Sequence, residues 1–271
     1  MAKLPQTLIP TLLSAFLLLH TAQSQSTSFT YDFYGDKPTD LIYQGDAHFP
    51  SDTTFLRLTN AERGNVGRVL HSSPVQFSQG GSQVDFETTI NFIITPSSAN
   101  APADGLTFFI APVGSTIPSS STGSNLGIFA SSGSSPSVFA VEFDTYVNSA
   151  WDPSYRHIGI DIGSRSSRVT TEVGDAIIGQ QVNARINYVG ATKMITVRAT
   201  AGPETFELSY EYDLSGFLNS QVQVGLSAAT GEYVATHDIV SWYFTATMNQ
   251  NNAGSRSRKE LAGKIEQFVG F

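Results

Sequence analysis

The chain has 271 residues, no cysteine and a net charge of −8, with 14% charged and 40% hydrophobic residues. This composition excludes a disulfide scaffold, a collagen-like repeat and a disordered chain. Lys plus Arg number 15 against 23 Asp plus Glu, which leaves no basic stripe for a nucleic-acid backbone, while 18 Phe and 10 Tyr favour sheets over charged surface helices.

In chain order, residues 1–24 carry one basic residue, Lys3, an apolar run from Leu8 to Leu19, and Ala22-Gln23-Ser24 before a cleavage point. This reads as a secretory signal peptide with Gln25 as the mature start. The run contains Pro10 and falls short of the roughly 20 residues a membrane helix needs, so no membrane span is expected. A cysteine-free secreted domain draws its stability from a large core, bound metal or assembly. No Asn-x-Ser/Thr sequon is present.

From Phe29 onward apolar residues recur with period two: Phe29, Tyr31, Phe33, then Phe86, Thr88, Ile90, Phe92, Ile94, then Ile195, Val197, Ala199. Leu106–Val113, Val138–Phe143, Phe206–Leu214, Val222–Leu226 and Ile239–Phe244 belong to the same class. Strands without intervening helices predict an all-β antiparallel sandwich or barrel over residues 25–248. The Ser, Gly and Pro-rich stretch Pro112–Pro136 reads as a long surface loop around the apolar piece Leu126–Ala130. Residues 249–271 form a polar linker followed by Leu261, Ile265 and Phe268 at helical spacing, with Arg256, Arg258, Lys259 and Lys264 against Glu260 and Glu266. That tail reads as a separate module: a helix packed on its own subunit, or a removed propeptide with Asn251 and Asn252 as plausible cuts.

One constellation carries chemistry. Glu142-Phe143-Asp144 ends an apolar strand, so both carboxylates point to one face. Asn148, Asp152 and His157 follow within one short stretch. Hard oxygens suit Ca²⁺ and an imidazole suits Mn²⁺ or Zn²⁺; two adjacent ions sharing Asp144 and Asp152 neutralise three carboxylates better than one. Taken singly, Asn148, Asp152 and Pro153 read as turn residues and His157 as a core histidine. The set together favours metal binding, because clustered unpaired acids repel.

Val141-Glu142-Phe143-Asp144-Thr145-Tyr146, Asn148, Trp151-Asp152-Pro153 and His157-Ile158-Gly159-Ile160-Asp161 resemble the metal loop of legume lectins. Ile42-Tyr43-Gln44-Gly45-Asp46-Ala47, Val66-Gly67-Arg68-Val69, Ala103-Asp104-Gly105-Leu106-Thr107-Phe108-Phe109-Ile110-Ala111-Pro112, Leu126-Gly127-Ile128-Phe129 and Ser241-Trp242-Tyr243-Phe244 extend the resemblance over Phe29–Thr247 in family order. The resemblance implies a jelly-roll sandwich and a non-catalytic, secreted or seed-vacuolar lectin. It implies a transition metal, usually manganese, on Glu142, Asp144, Asp152 and His157. Calcium would be held by Asp144, the Tyr146 carbonyl, Asn148 and Asp152. A sugar would meet Asp104, after a cis peptide from Ala103, together with Asn148, the Tyr146 ring, and backbone N–H groups at Ser124, Gly231 and Glu232.

Two departures from the family pattern carry expectations. Ser124 stands where family members usually have Gly, which predicts strain from a positive φ there. Gly163-Ser164-Arg165 replaces a common Asn-Ser-Ile and is expected to reach no further than the surroundings of the metal ligands. The loop Gly231-Glu232-Tyr233-Val234 and its spacing to Trp242 resemble mannose/glucose-binding members, which implies glycan partners with terminal mannose or glucose. Homodimers or homotetramers are also implied. A seed storage or defence protein with weak or lost sugar binding is one alternative; a jelly-roll glycoside hydrolase is another. Hydrolysis is disfavoured because Glu142 and Asp144 would both be consumed by metals and the strand continues with Tyr146 and Val147 instead of a further Glu.

Overall fold

The computed structural model describes residues 26–51, 54–97 and 102–249. The expected signal peptide over residues 1–24 and all but the first residue of the 249–271 tail lie outside the described residues. Among the described residues sixteen strands follow one another: β1 (Ser26–Tyr31), β2 (Leu41–Gly45), β3 (Leu56–Thr59), β4 (Val66–His71), β5 (Val75–Gln76), β6 (Ser78–Gln79), β7 (Ser82–Pro96), β8 (Gly105–Pro112), β9 (Ser134–Asp144), β10 (His157–Ser164), β11 (Val169–Glu172), β12 (Gln181–Val189), β13 (Met194–Ala201), β14 (Glu204–Glu211), β15 (Gln221–Ala229) and β16 (Ala235–Asn249). One short helix, α1 (Leu214–Phe217), is capped by the Asp213 carboxylate, which accepts from Gly216 N.

The strands form two antiparallel sheets. The back sheet runs β1-β16-β7-β12-β13-β14 and the front sheet β11-β10-β9-β8-β15-β4-β2, with β3 added to β16, β6 to β7 and β5 to β15. This is the expected all-β jelly-roll sandwich. The main core lies between the sheets, where alternate residues of each strand point inward: Ile90, Phe92 and Ile94 from β7, Phe108 and Ile110 from β8, Phe139, Val141 and Phe143 from β9. Trp242 is fully buried there, and its indole N–H donates to Thr88 Oγ1 at 3.0 Å.

Pro112–Pro136 differs from the expected surface loop. Leu126, Ile128 and Phe129 are buried and form a second core against the outer face of the front sheet, with Leu70, Phe109, Ala111, Val138 and Ala140. The front sheet is therefore apolar on both sides over part of its area, so β8 reads Gly-Leu-Thr-Phe-Phe-Ile-Ala-Pro as a nearly continuous apolar run. Buried Arg68 fastens this flap: its guanidinium donates to the carbonyls of Thr116 (2.8 Å) and Gly127 (3.2 Å) and lies 4.5 Å from the Phe109 ring centre.

Candidate metal centre and binding cleft

Period-two alternation on β9 sends Val141 and Phe143 into the main core and leaves Glu142 and Asp144 on the outer face. Register does the rest. Glu142 stands opposite Gly159 of β10 and Thr107 of β8, and Asp144 opposite His157 and Gly105. A Cβ at Gly159 would lie 2.8 Å from Glu142 Oε1 and 2.0 Å from Ser167 Oγ, so only glycine leaves room for the carboxylate there.

Glu142, Asp144 and His157 are all buried, and each offers a ligand atom within 4.8 Å of the others. They are placed to hold a metal ion. His157 Nε2 lies 3.0 Å from Glu142 Oε1, and Ser167 Oγ sits within hydrogen-bond reach of both Glu142 Oε1 (2.6 Å) and Asp161 Oδ1 (2.7 Å), with one proton to share between them. After β9 the chain folds back on its own acids. Tyr146 N–H donates to Asp144 Oδ1 at 2.7 Å, and Asn148 N–H to Asp152 Oδ2 at 2.6 Å. Asn148 Oδ1 is buried with no hydrogen-bond partner, which leaves a free acceptor on the same loop.

Asp104 directly precedes β8. The Ala103–Asp104 peptide is cis, as the resemblance implied. Asp104 N–H donates to Ala229 O (2.9 Å) at the end of β15, and Asp104 O accepts from Thr145 N–H (2.9 Å) and Thr145 Oγ1 (3.0 Å) beyond β9. Its carboxylate faces Gly123 and Gly231, accepts from the Gly231 N–H, and keeps Oδ2 buried without a partner. The Tyr146 and Tyr233 rings stand 5.4 Å apart beside this cleft.

The acids are mutually destabilising. Burial, then the charge of Asp152, pushes the Asp104 carboxyl up to about 7 against the Gly231 hydrogen bond. Burial pushes Asp152 up to about 6 although Asn148 N–H, His157 and Arg165 oppose it. Burial, then Glu142 and Asp152, holds Asp144 well above its ordinary range. Burial lowers the His157 imidazole, but the hydrogen bond and charge of Glu142 outweigh it and raise it overall. A cation among these groups would relieve the repulsion.

The model of the legume lectin domain matches residues 26–260. The chain belongs to the legume lectin family. Its members are carbohydrate-binding and non-catalytic. Agglutinin-2 of Cladrastis kentukea is 40% identical over 90% of this chain and 88% of its own. The mannose/glucose-specific lectin of Centrolobium tomentosum is 37% identical over 83% of this chain and 97% of its own. The structure of winged bean acidic lectin complexed with methyl-α-D-galactose superposes with a TM-score of 0.76 at 34% identity, covering 83% of this chain and all of the other.

Two expectations for this lectin domain are corrected. Ser124 carries no positive φ; the left-handed positions fall on Gly123 (63°), Leu126 (49°) and Gly127 (73°), because Gly123–Asn125 form a 3-10 turn that closes through Leu126. Gly123 is the residue facing Asp104. Arg165 also reaches beyond the metal surroundings: it donates to Asn125 Oδ1 at 3.0 Å and lies 3.6 Å from the Trp151 ring centre. Ser167 is not singled out by the sequence, and Gly123 and Tyr233 are read there only as members of their loops, because their places beside Asp104 and Tyr146 depend on loops meeting in space. Among the described residues no helix is long and apolar enough to cross a membrane.

Proposed function

We propose that this chain is a metal-dependent lectin of the mannose/glucose type. The observation that carries the reading is Asn148, whose N–H is bound by Asp152 while Oδ1 is left buried and unpartnered. With the main-chain N–H held this way, the side-chain amide has its oxygen to offer to calcium and its NH₂ group to a sugar hydroxyl. Asp104 supplies the opposing acceptor.

In this reading Glu142, Asp144, Asp152 and His157 hold manganese or another transition ion. Asp144, the Tyr146 carbonyl, Asn148 and Asp152 hold calcium. When bound, the ions neutralise the clustered acids and fix the loop that carries Tyr146 and Asn148. The sugar accepts from the backbone at Ser124 and Glu232 and packs its C–H face on Tyr146, while Gly231 lines the cleft with its N–H held by the Asp104 carboxylate. The short 230–234 connection between β15 and β16 supports mannose/glucose selectivity. Assembly into dimers or tetramers would turn weak single sites into avid binding without new contacts.

Titration calorimetry with methyl mannoside and galactose, with and without chelator, tests this reading. Mannoside binding that chelation abolishes is expected; galactose preference overturns the specificity, and binding insensitive to chelator overturns the metal dependence. Asp104→Ala should lose sugar while retaining both metals, and Asp152→Ala should release both. Elemental analysis should find calcium and a transition metal in near-equal amounts.

A further inference from the structure

Arg165 follows β10, the strand that begins with His157, yet its contacts lie on two other loops. Its guanidinium stacks 3.6 Å from the centre of the Trp151 ring. Trp151 is the neighbour of Asp152, and the N–H groups of both residues donate to Asn148 O, at 3.1 and 3.0 Å. From that position Nη1 donates at 3.0 Å to Asn125 Oδ1. Asn125 is buried in the 3-10 turn Gly123–Asn125, and its Nδ2 holds the Ser120 carbonyl at 3.1 Å. The main chain fixes Arg165 as well, since its N–H donates to Gly133 O at 3.0 Å just before β9. A Cβ at Gly133 would lie 2.5 Å from Arg165 Nε, and Gly133 has φ 77°. Glycine is thus required there both by the backbone and by the space the guanidinium fills.

A guanidinium is suited to this position because a planar cation can stack on an indole face and donate in its own plane at the same time. Lysine offers the charge without the fork, and an aliphatic residue offers the packing without the hydrogen bond.

We infer that Arg165 is a positioning residue that ties the loop of Gly123 and Ser124 to the loop of Asn148 and Asp152, so that sugar affinity and metal retention are coupled through it. The inference rests on the function proposed above, in which the first loop meets the sugar and the second holds the ions. Arg165 is not among the residues assigned to either ligand in that reading, although its charge also acts on Asp152, an effect that Arg165→Lys keeps and Arg165→Met removes. It acts by fixing the two walls of the cleft relative to each other, and either wall alone retains its own backbone hydrogen bonds.

The test uses the full chain with Arg165→Met, Arg165→Lys, Asn125→Ala and the Arg165→Met/Asn125→Ala double variant. Calorimetry with methyl mannoside and with galactose at saturating calcium and manganese gives the sugar affinity; competition with a chelator, without sugar, gives metal retention. Arg165→Met and Arg165→Lys should each weaken sugar binding by roughly tenfold or more, with Arg165→Met also releasing metal more readily. The double variant should be no weaker than Arg165→Met, because both changes break one connection. Wild-type sugar affinity in Arg165→Met, or additive losses in the double variant, overturns the inference. Asn125→Ala with normal sugar affinity overturns it as well, and remains informative if Arg165→Met does not fold. Failure of the unaltered protein to bind either sugar or metal would instead sink the proposed function.

Discussion

Phe143 of β9 meets Phe92 of β7 edge to face with ring centres 4.8 Å apart, joining the front sheet to the back sheet immediately behind Glu142 and Asp144. The backbone that carries the two carboxylates is thereby anchored in the main core on the opposite face of the same strand. Phe143→Ala should cost about 3–5 kcal/mol of stability, from lost burial and the cavity left behind. Denaturant unfolding measures this loss, and metal retention should fall in parallel. Stability within 1 kcal/mol of wild type would show that the contact does not anchor the site.

The raised carboxyls set a pH dependence whose sign follows from linkage. In metal-free protein Asp104 and Asp152 sit near 7 and 6, above their ordinary value of 3.8, so between about pH 4 and 7 the folded chain binds more protons than the unfolded one. Their contribution to stability is present at low pH and is lost as pH rises through that window. Chelated protein should therefore show a melting temperature that declines from about pH 4 to 7 relative to metal-loaded protein, and Asp104→Asn should reduce the decline. A gap between the two forms that does not widen with pH contradicts this account.

Gly231→Ala offers a test of the cleft that leaves the metal ligands alone. The added Cβ would lie 2.8 Å from Asp104 Oδ2 and 3.4 Å from the Gly123 α-carbon, pushing the carboxylate out of place. Sugar affinity should fall by tenfold or more, about 1.4 kcal/mol, with metal content unchanged. Calorimetry and elemental analysis on the same sample read both quantities.

Tyr233 shares an aromatic wall with Tyr146, 31° from parallel, and is 39% exposed. Tyr233→Phe should bind sugar as wild type does. Tyr233→Ala should lose roughly 0.5–1.5 kcal/mol of sugar affinity, as expected for an aromatic packing surface. Equal loss in both variants would assign the effect to the hydroxyl.

What was legible in the sequence was local. The period of two on Val141–Asp144 is a property of any strand, so the placement of Phe143 inside and Glu142 and Asp144 outside follows without knowing a neighbour. The same holds for the turn acids: Asp144 and Asp152 accept from residues two and four positions away. The resemblance carried further, to the cis peptide at Asp104 and the jelly roll itself.

Tertiary structure decided whatever depends on register between distant segments. Gly105 stands opposite Asp144 because β8 pairs with β9, and Gly231 reaches Asp104 because β15 pairs with β8 on its other side. No spacing within one strand encodes either meeting. Leu126–Ala130 looked like an interruption in a surface loop, yet it closes a second core, since the front sheet presents Phe109 and Ala140 on its outer face as well. Arg165 looked like a change beside the metal ligands; only the packing of Trp151 and Asn125 around it made it a tie between two loops. Side-chain alternation is dictated residue by residue, whereas the company a side chain keeps is set by long-range pairing that the chain acquires only when both sheets have formed.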